Sequence, residues 1–110
     1  MVTSELFFQL GAELYPILNN GNSVNLKKRR FITFFGASNE IIFDLWNLIC
    51  NNISDVRNPM YLMWTMMFIK QYNKESTYAS ICGCTEKTFR KWVWIYLKVI
   101  SWLDLVRLFK

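Results

Sequence analysis

Residues 76–103 read STYASICGCTEKTFRKWVWIYLKVISWL, and this stretch decides the fold. Ser76 can cap a short helix from Thr77 to Cys82. Gly83 then offers a turn in left-handed dihedrals, and Thr85 can cap a longer helix that starts at Glu86. A helix, a three-residue turn and a second helix make the layout of a helix-turn-helix. Ala79 is small where the two helices approach, and Phe89 and Trp92 are placed to anchor the second one.

On a helical wheel, Phe89, Trp92, Val93, Tyr96, Ile100 and Leu103 share one face, which must pack inward. Lys87, Arg90, Lys91, Trp94 and Lys98 fall opposite. A recognition helix lying in a major groove needs such a stripe, with polar side chains near its N-terminus reaching base edges. Thr85, Glu86, Lys87, Thr88, Arg90 and Lys91 are the residues in reach. A basic stripe also describes any solvated helix face. Trp94 separates the two readings, because a large aromatic among exposed cations is costly unless something covers it. Nucleic acid or another protein domain would serve as cover.

Upstream, Asn58-Pro59 is a helix start, an N-cap followed by proline at the first helical position. The helix it opens runs to about Tyr72 and is apolar nearly all round, as a central buried helix is. Before it, Ser38 and Glu40 begin a helix whose apolar face is Ile41, Ile42, Leu45, Trp46, Leu48 and Ile49, closed by Asn51-Asn52. Residues 26–35 have strand-like propensity in Phe31-Ile-Thr-Phe-Phe35. Gly36 as a C-cap favours a short helix there instead. The first 18 residues suggest a helix capped by Ser4, with Leu6, Leu10, Leu14 and Ile17 on its face and Pro16 ending it early. Asn19-Asn-Gly-Asn-Ser23 is the best linker candidate. The expected architecture is all-α, a small bundle of about five helices. Residues 1–25 form an N-terminal helix and linker, and residues 26–110 form the helix-turn-helix-containing domain.

Composition narrows the function. The 110 residues are 53% hydrophobic and 19% charged, with five Trp, five Tyr and nine Phe, which excludes a disordered chain. There is no histidine, so no imidazole acid, base or metal ligand. No phosphate-cradling glycine loop and no nucleophile–base pair can be assembled, so no catalytic residue is assigned. The three cysteines, Cys50, Cys82 and Cys84, are an odd set and too few for a zinc site, so they read as reduced thiols in an intracellular protein. No metal, cofactor or small-molecule substrate is expected. The N-terminus lacks the basic start of a signal peptide, and no apolar run reaches the roughly 18–20 residues of a membrane span.

The net charge of +5 is unevenly spread. Residues 1–25 carry two acids and no base, whereas residues 26–35 carry Lys27, Lys28, Arg29 and Arg30 and no acid. Residues 76–110 carry six basic and two acidic residues. The Lys27–Arg30 run reads as a solvated helix end, a nuclear-import signal or a second contact to DNA.

Several stretches together resemble one family. Phe31-x-x-Phe34-Phe35-Gly36-x-Ser38-x-Glu40-x-x-x-x-Leu45-Trp46 is similar to the opening of the region before the catalytic core in Harbinger-like DDE transposases. Pro59-x-x-Leu62-x-Trp64-x-x-x-Phe68-Ile69-Lys70-x-Tyr72 resembles its next helix, and Thr85-Glu86-Lys87-Thr88-Phe89-Arg90-Lys91-Trp92-Val93-Trp94 the second helix of its helix-turn-helix. The likeness covers roughly residues 28–103. It implies a segment that binds duplex DNA and helps bring a transposase to its element's ends, in the nucleus if the source is eukaryotic. The family's metal-holding carboxylates belong to a separate RNase-H-like domain. On this resemblance the chain is a fragment, a truncated copy or a small derived protein.

The expected DNA contacts are Thr85, Glu86, Lys87, Thr88, Arg90, Lys91, Trp94 and Lys98, with Lys27, Lys28, Arg29 and Arg30 as a secondary set. The alternative is a helical protein-interaction or oligomerisation domain that does not bind DNA. Its partner would be a transposase catalytic domain or a second copy, covering Trp94 and Trp102. A decayed transposase fragment is a further form of the same alternative.

Overall fold

A computed structural model describes residues 2–21, 23–52, 58–71 and 75–102. Helix α1 (Ser4–Leu14) is capped by Thr3, whose Oγ1 accepts from the Leu6 N–H at 3.2 Å, one residue earlier than the expected Ser4. Its buried residues are Phe7, Gly11 and Leu14. Leu6 and Leu10 flank that stripe and are half-buried. Tyr15 leaves the helical region (φ −136°, ψ 81°) because the following Pro16 disfavours it. A 3-10 turn, Pro16–Asn19, takes over. The changed phase exposes Ile17 and buries Leu18 completely, so Ile17 does not join the α1 face as expected.

Helix α2 (Val24–Phe35) settles the strand-or-helix ambiguity. Ser23 caps it, accepting from the Leu26 N–H at 3.2 Å, and Gly36 ends it at φ +87° with its N–H donating to Ile32 O. Phe31 and Phe35 are fully buried on its inner side. Helix α3 (Asn39–Asn52) starts where Ser38 Oγ accepts from the Ile41 N–H. It buries Ile42, Leu45, Trp46 and Ile49, while Ile41 and Leu48 turn outward at the margins of the stripe.

Helix α4 (Pro59–Gln71) opens as expected, with Asn58 Oδ1 accepting from the Met60 N–H at 3.0 Å. Six consecutive residues, Leu62 to Met67, are buried, which requires neighbours on every side. Helices α1 and α2 pack on it, as do α5 (Glu75–Cys82) and α6 (Glu86–Trp102). The expected end near Tyr72 lies outside the described residues. Helix α5 begins at Glu75, so Ser76 sits inside its first turn rather than at the cap.

The result is an all-α fold of six helices and one 3-10 turn among the described residues, slightly more than the five expected. The described residues contain no strand. One apolar core runs from Phe7, Leu14 and Leu18 through α2, α3 and α4 to Phe89, Val93 and Ile100, so α1 shares its core with the rest.

The contact of α1 with α2 depends on Gly11. A Cβ there would lie 2.6 Å from Phe31 Cε2 and 2.9 Å from Phe35 Cε2. Both rings are fully buried, so moving either one disturbs the core around it. In a helix interior Gly→Ala ordinarily stabilises by roughly 1 kcal/mol. Gly11→Ala is expected to reverse that sign and destabilise by about 1–3 kcal/mol through overpacking, measured by urea unfolding.

Candidate nucleic-acid interface

The junction of α5 and α6 is tightly hydrogen-bonded. The Cys84 N–H donates to Ala79 O at 3.0 Å and the Gly83 N–H to Ser80 O at 3.3 Å. Gly83 takes φ +69°, the left-handed conformation that L side chains rarely adopt. Thr85 Oγ1 then caps α6 by accepting from the Thr88 N–H at 3.2 Å, and it donates to Thr88 Oγ1 at 3.0 Å. Both hydroxyls are thus oriented at the start of α6, on an exposed surface.

A continuous aromatic seat holds α6. Phe89 is fully buried and lies 5.4 Å from Tyr78, 5.8 Å from Trp64 and 6.3 Å from Phe68 between ring centroids. One turn on, Trp92 stacks on Tyr61 at 4.4 Å, and Lys91 Nζ sits 5.0 Å from the Trp92 ring centroid. Further along, the Tyr96 hydroxyl donates to Asn58 O at 3.3 Å. Ala79, Val93, Val99 and Ile100 complete the buried contacts. The inward face expected from the wheel is therefore found, with Trp92 half-buried and Val99 added. Leu103 and the Trp102 side chain lie outside the described residues.

The opposite face carries Glu86, Lys87, Arg90, Lys91, Trp94, Ile95 and Lys98, all exposed. From Lys87 to Lys98 it extends about 16 Å along the helix axis. Glu86 is the one acid on α6, and it sits in the first turn, where the helix dipole favours a negative charge. Trp94 is 50% exposed. It does not stand alone, since Trp94, Leu97, Lys98 and Ser101 form one wall of a groove of about 440 Å³ whose other wall is Phe68 and Ile69 of α4. Sequence periodicity marks Trp94 but cannot show this groove, which needs two helices to build it.

The second basic block sits on α2, in a different setting. Lys28 Nζ pairs with Glu40 Oε1 at 3.8 Å, an exposed ion pair of small energetic weight. Arg30 Nη1 donates to Asn20 O at 2.7 Å and to Ile17 O at 3.2 Å, fastening the 3-10 turn to α2. Lys27 is half-buried and Arg29 exposed. The structure thus places Lys87, Arg90, Lys91, Trp94 and Lys98 on one exposed face of α6, with Thr85, Glu86 and Thr88 exposed at its N-terminal end. Lys27, Lys28, Arg29 and Arg30 belong to another helix, and two of these four are already engaged within the fold.

The cysteines are all free, Cys50 exposed and Cys82 and Cys84 half-buried. Burial, followed by the charge of Cys84, pushes the Cys82 thiol up to about 12. At neutral pH it is fully protonated, which suits a packed thiol and not a nucleophile. Among the described residues no three His, Cys, Asp or Glu side chains cluster to hold a metal ion. No described helix is long and apolar enough to cross a membrane.

Comparison with protein-family models, with curated proteins and with solved structures gives no match to this chain.

Proposed function

We propose that the chain is a duplex-DNA-binding module that docks through α6. The observation that carries this reading is the division of α6 into two faces. One is locked by Phe89, Val93, Tyr96 and Ile100, and the other presents Lys87, Arg90, Lys91 and Lys98 to solvent. A rigidly seated helix with a cationic outer face fits a major groove, whose width admits one helix. Thr85, Glu86, Lys87 and Thr88 at its start supply the polar groups for base edges, and the flanking cations neutralise phosphates. The three-residue connection between α5 and α6 has the length of a helix-turn-helix turn. The resemblance to the DNA-binding region of Harbinger-like transposases points the same way. Lys27, Lys28, Arg29 and Arg30 are a secondary basic surface in this proposal.

Fluorescence anisotropy with labelled duplex DNA tests the reading. Binding is expected at low salt, weakening steeply as salt is added. No binding at low salt would refute it.

The groove beside Trp94 favours a second reading, a protein-interaction surface. Exposed apolar area lined by Phe68, Ile69, Trp94 and Leu97 is costly to leave in water. Light scattering separates the readings, because a stable dimer indifferent to DNA belongs to the second.

A further inference from the structure

A pocket of about 390 Å³ lies away from α6, lined by Tyr15, Leu26, Arg29, Arg30, Thr33 and Phe34. Five of these six residues sit on one face of α2, and Tyr15 comes from the end of α1. The lining holds two arginines and no acidic residue. Arg30 is not a loose surface cation. Its Nη1 is fastened by the carbonyls of Ile17 and Asn20, and neither carbonyl carries a charge that would cancel the guanidinium's. Its Nε and Nη2 groups have no hydrogen-bond acceptor among the described residues. Neither Arg29 nor Arg30 has a carboxylate partner among those residues. A positive fork held in place, with a second arginine in the same lining, suits a bidentate oxyanion.

The remaining lining narrows the ligand. Tyr15 and Phe34 stack at 4.2 Å with 9° between their planes, so the pocket lining includes a stacked aromatic pair. A planar ring can extend such a stack. Thr33 Oγ1 spends its hydrogen on Arg29 O at 2.9 Å. What remains on that oxygen is acceptor capacity, suited to a sugar hydroxyl and not to a phosphate. The volume lies within the range of small-molecule sites.

We infer that this pocket binds the phosphate monoester of a nucleotide, with Arg29 and Arg30 on the phosphate and the Tyr15–Phe34 pair against the base. The same chemistry is presented by a free mononucleotide and by the 5′-phosphorylated end of a nucleic-acid strand. The inference goes beyond the α6 reading and does not rest on it.

Isothermal titration calorimetry of the full chain tests it with four probes. These are adenosine 5′-monophosphate, adenosine, and a single-stranded hexanucleotide bearing either a 5′-phosphate or a 5′-hydroxyl. The phosphorylated member of at least one pair is expected to bind about tenfold tighter than its partner, the worth of hydrogen bonds to a charged group. Preference within the mononucleotide pair identifies a free nucleotide as the source, and preference only within the hexanucleotide pair identifies a strand end. Arg29→Gln, at an exposed position that leaves the Arg30 tether intact, is expected to abolish the preference. Lys87→Ala/Arg90→Ala/Lys91→Ala is expected to retain it, which keeps a failure here distinct from a failure at α6. Equal binding of phosphorylated and unphosphorylated probes, no binding of any probe, or a preference that survives Arg29→Gln would overturn the inference.

Discussion

Phe89→Ala is expected to cost about 3–5 kcal/mol of folding stability, the range for removing a buried phenyl ring. Phe89 is fully buried and bridges three helices through Tyr78 of α5, Trp64 and Phe68 of α4, and its own α6. Aromatic pairs of this kind add roughly 0.5–1.5 kcal/mol each beyond area burial. A domain of this size holds only about 5–15 kcal/mol in total, so the variant should lose a large share of its stability. Circular dichroism in a urea series reads the effect. A transition midpoint close to that of the parent would mean that α6 is not seated on α4 in the way described.

Replacing Lys87, Arg90 and Lys91 together by alanine should separate binding from folding. All three side chains are exposed, so the fold should be kept, with loss of the Lys91–Trp92 contact lowering stability by about 0.5–1 kcal/mol. Duplex affinity at low salt is expected to fall about a hundredfold, at roughly 1 kcal/mol or more for each contact. The plot of log affinity against log salt should also flatten by about 2.7, which is 0.9 for each phosphate contact removed. The slope is the more telling number. Wild-type slope at reduced affinity would mean that these cations do not meet phosphates. Unchanged affinity would move the interface away from α6.

Much of the helical architecture is legible in the sequence, and the reasons are local. Asn58-Pro59, Ser38 with Glu40, and Gly36 each act within one turn of the chain, so each boundary could be read from neighbouring residues. Gly83 and Thr85 mark the α5–α6 junction in the same way. The sequence misleads where two local signals compete. Thr3 and Ser4 are both cap formers, and the helix uses the first. Pro16 reads as a stop, but the 3-10 turn that follows it shifts the phase, burying Leu18 in place of Ile17.

The candidate sites divide along the same line. The cationic face of α6 follows from helical spacing alone and is visible in the sequence. The groove beside Trp94 needs Phe68 and Ile69 from a second helix. The tether of Arg30 to Ile17 and Asn20 crosses from α2 to the preceding turn. No periodicity announces such contacts. Lys28 and Arg30 are therefore indistinguishable from Arg29 by position in the run and differ from it in the fold.

The most direct test of docking through α6 is the map of backbone amide chemical-shift changes when duplex DNA is added to the full chain at low salt. The largest changes are expected to cluster from Thr85 to Lys98, and added salt is expected to reverse them. No change on adding DNA, or changes concentrated elsewhere with α6 untouched, would contradict it.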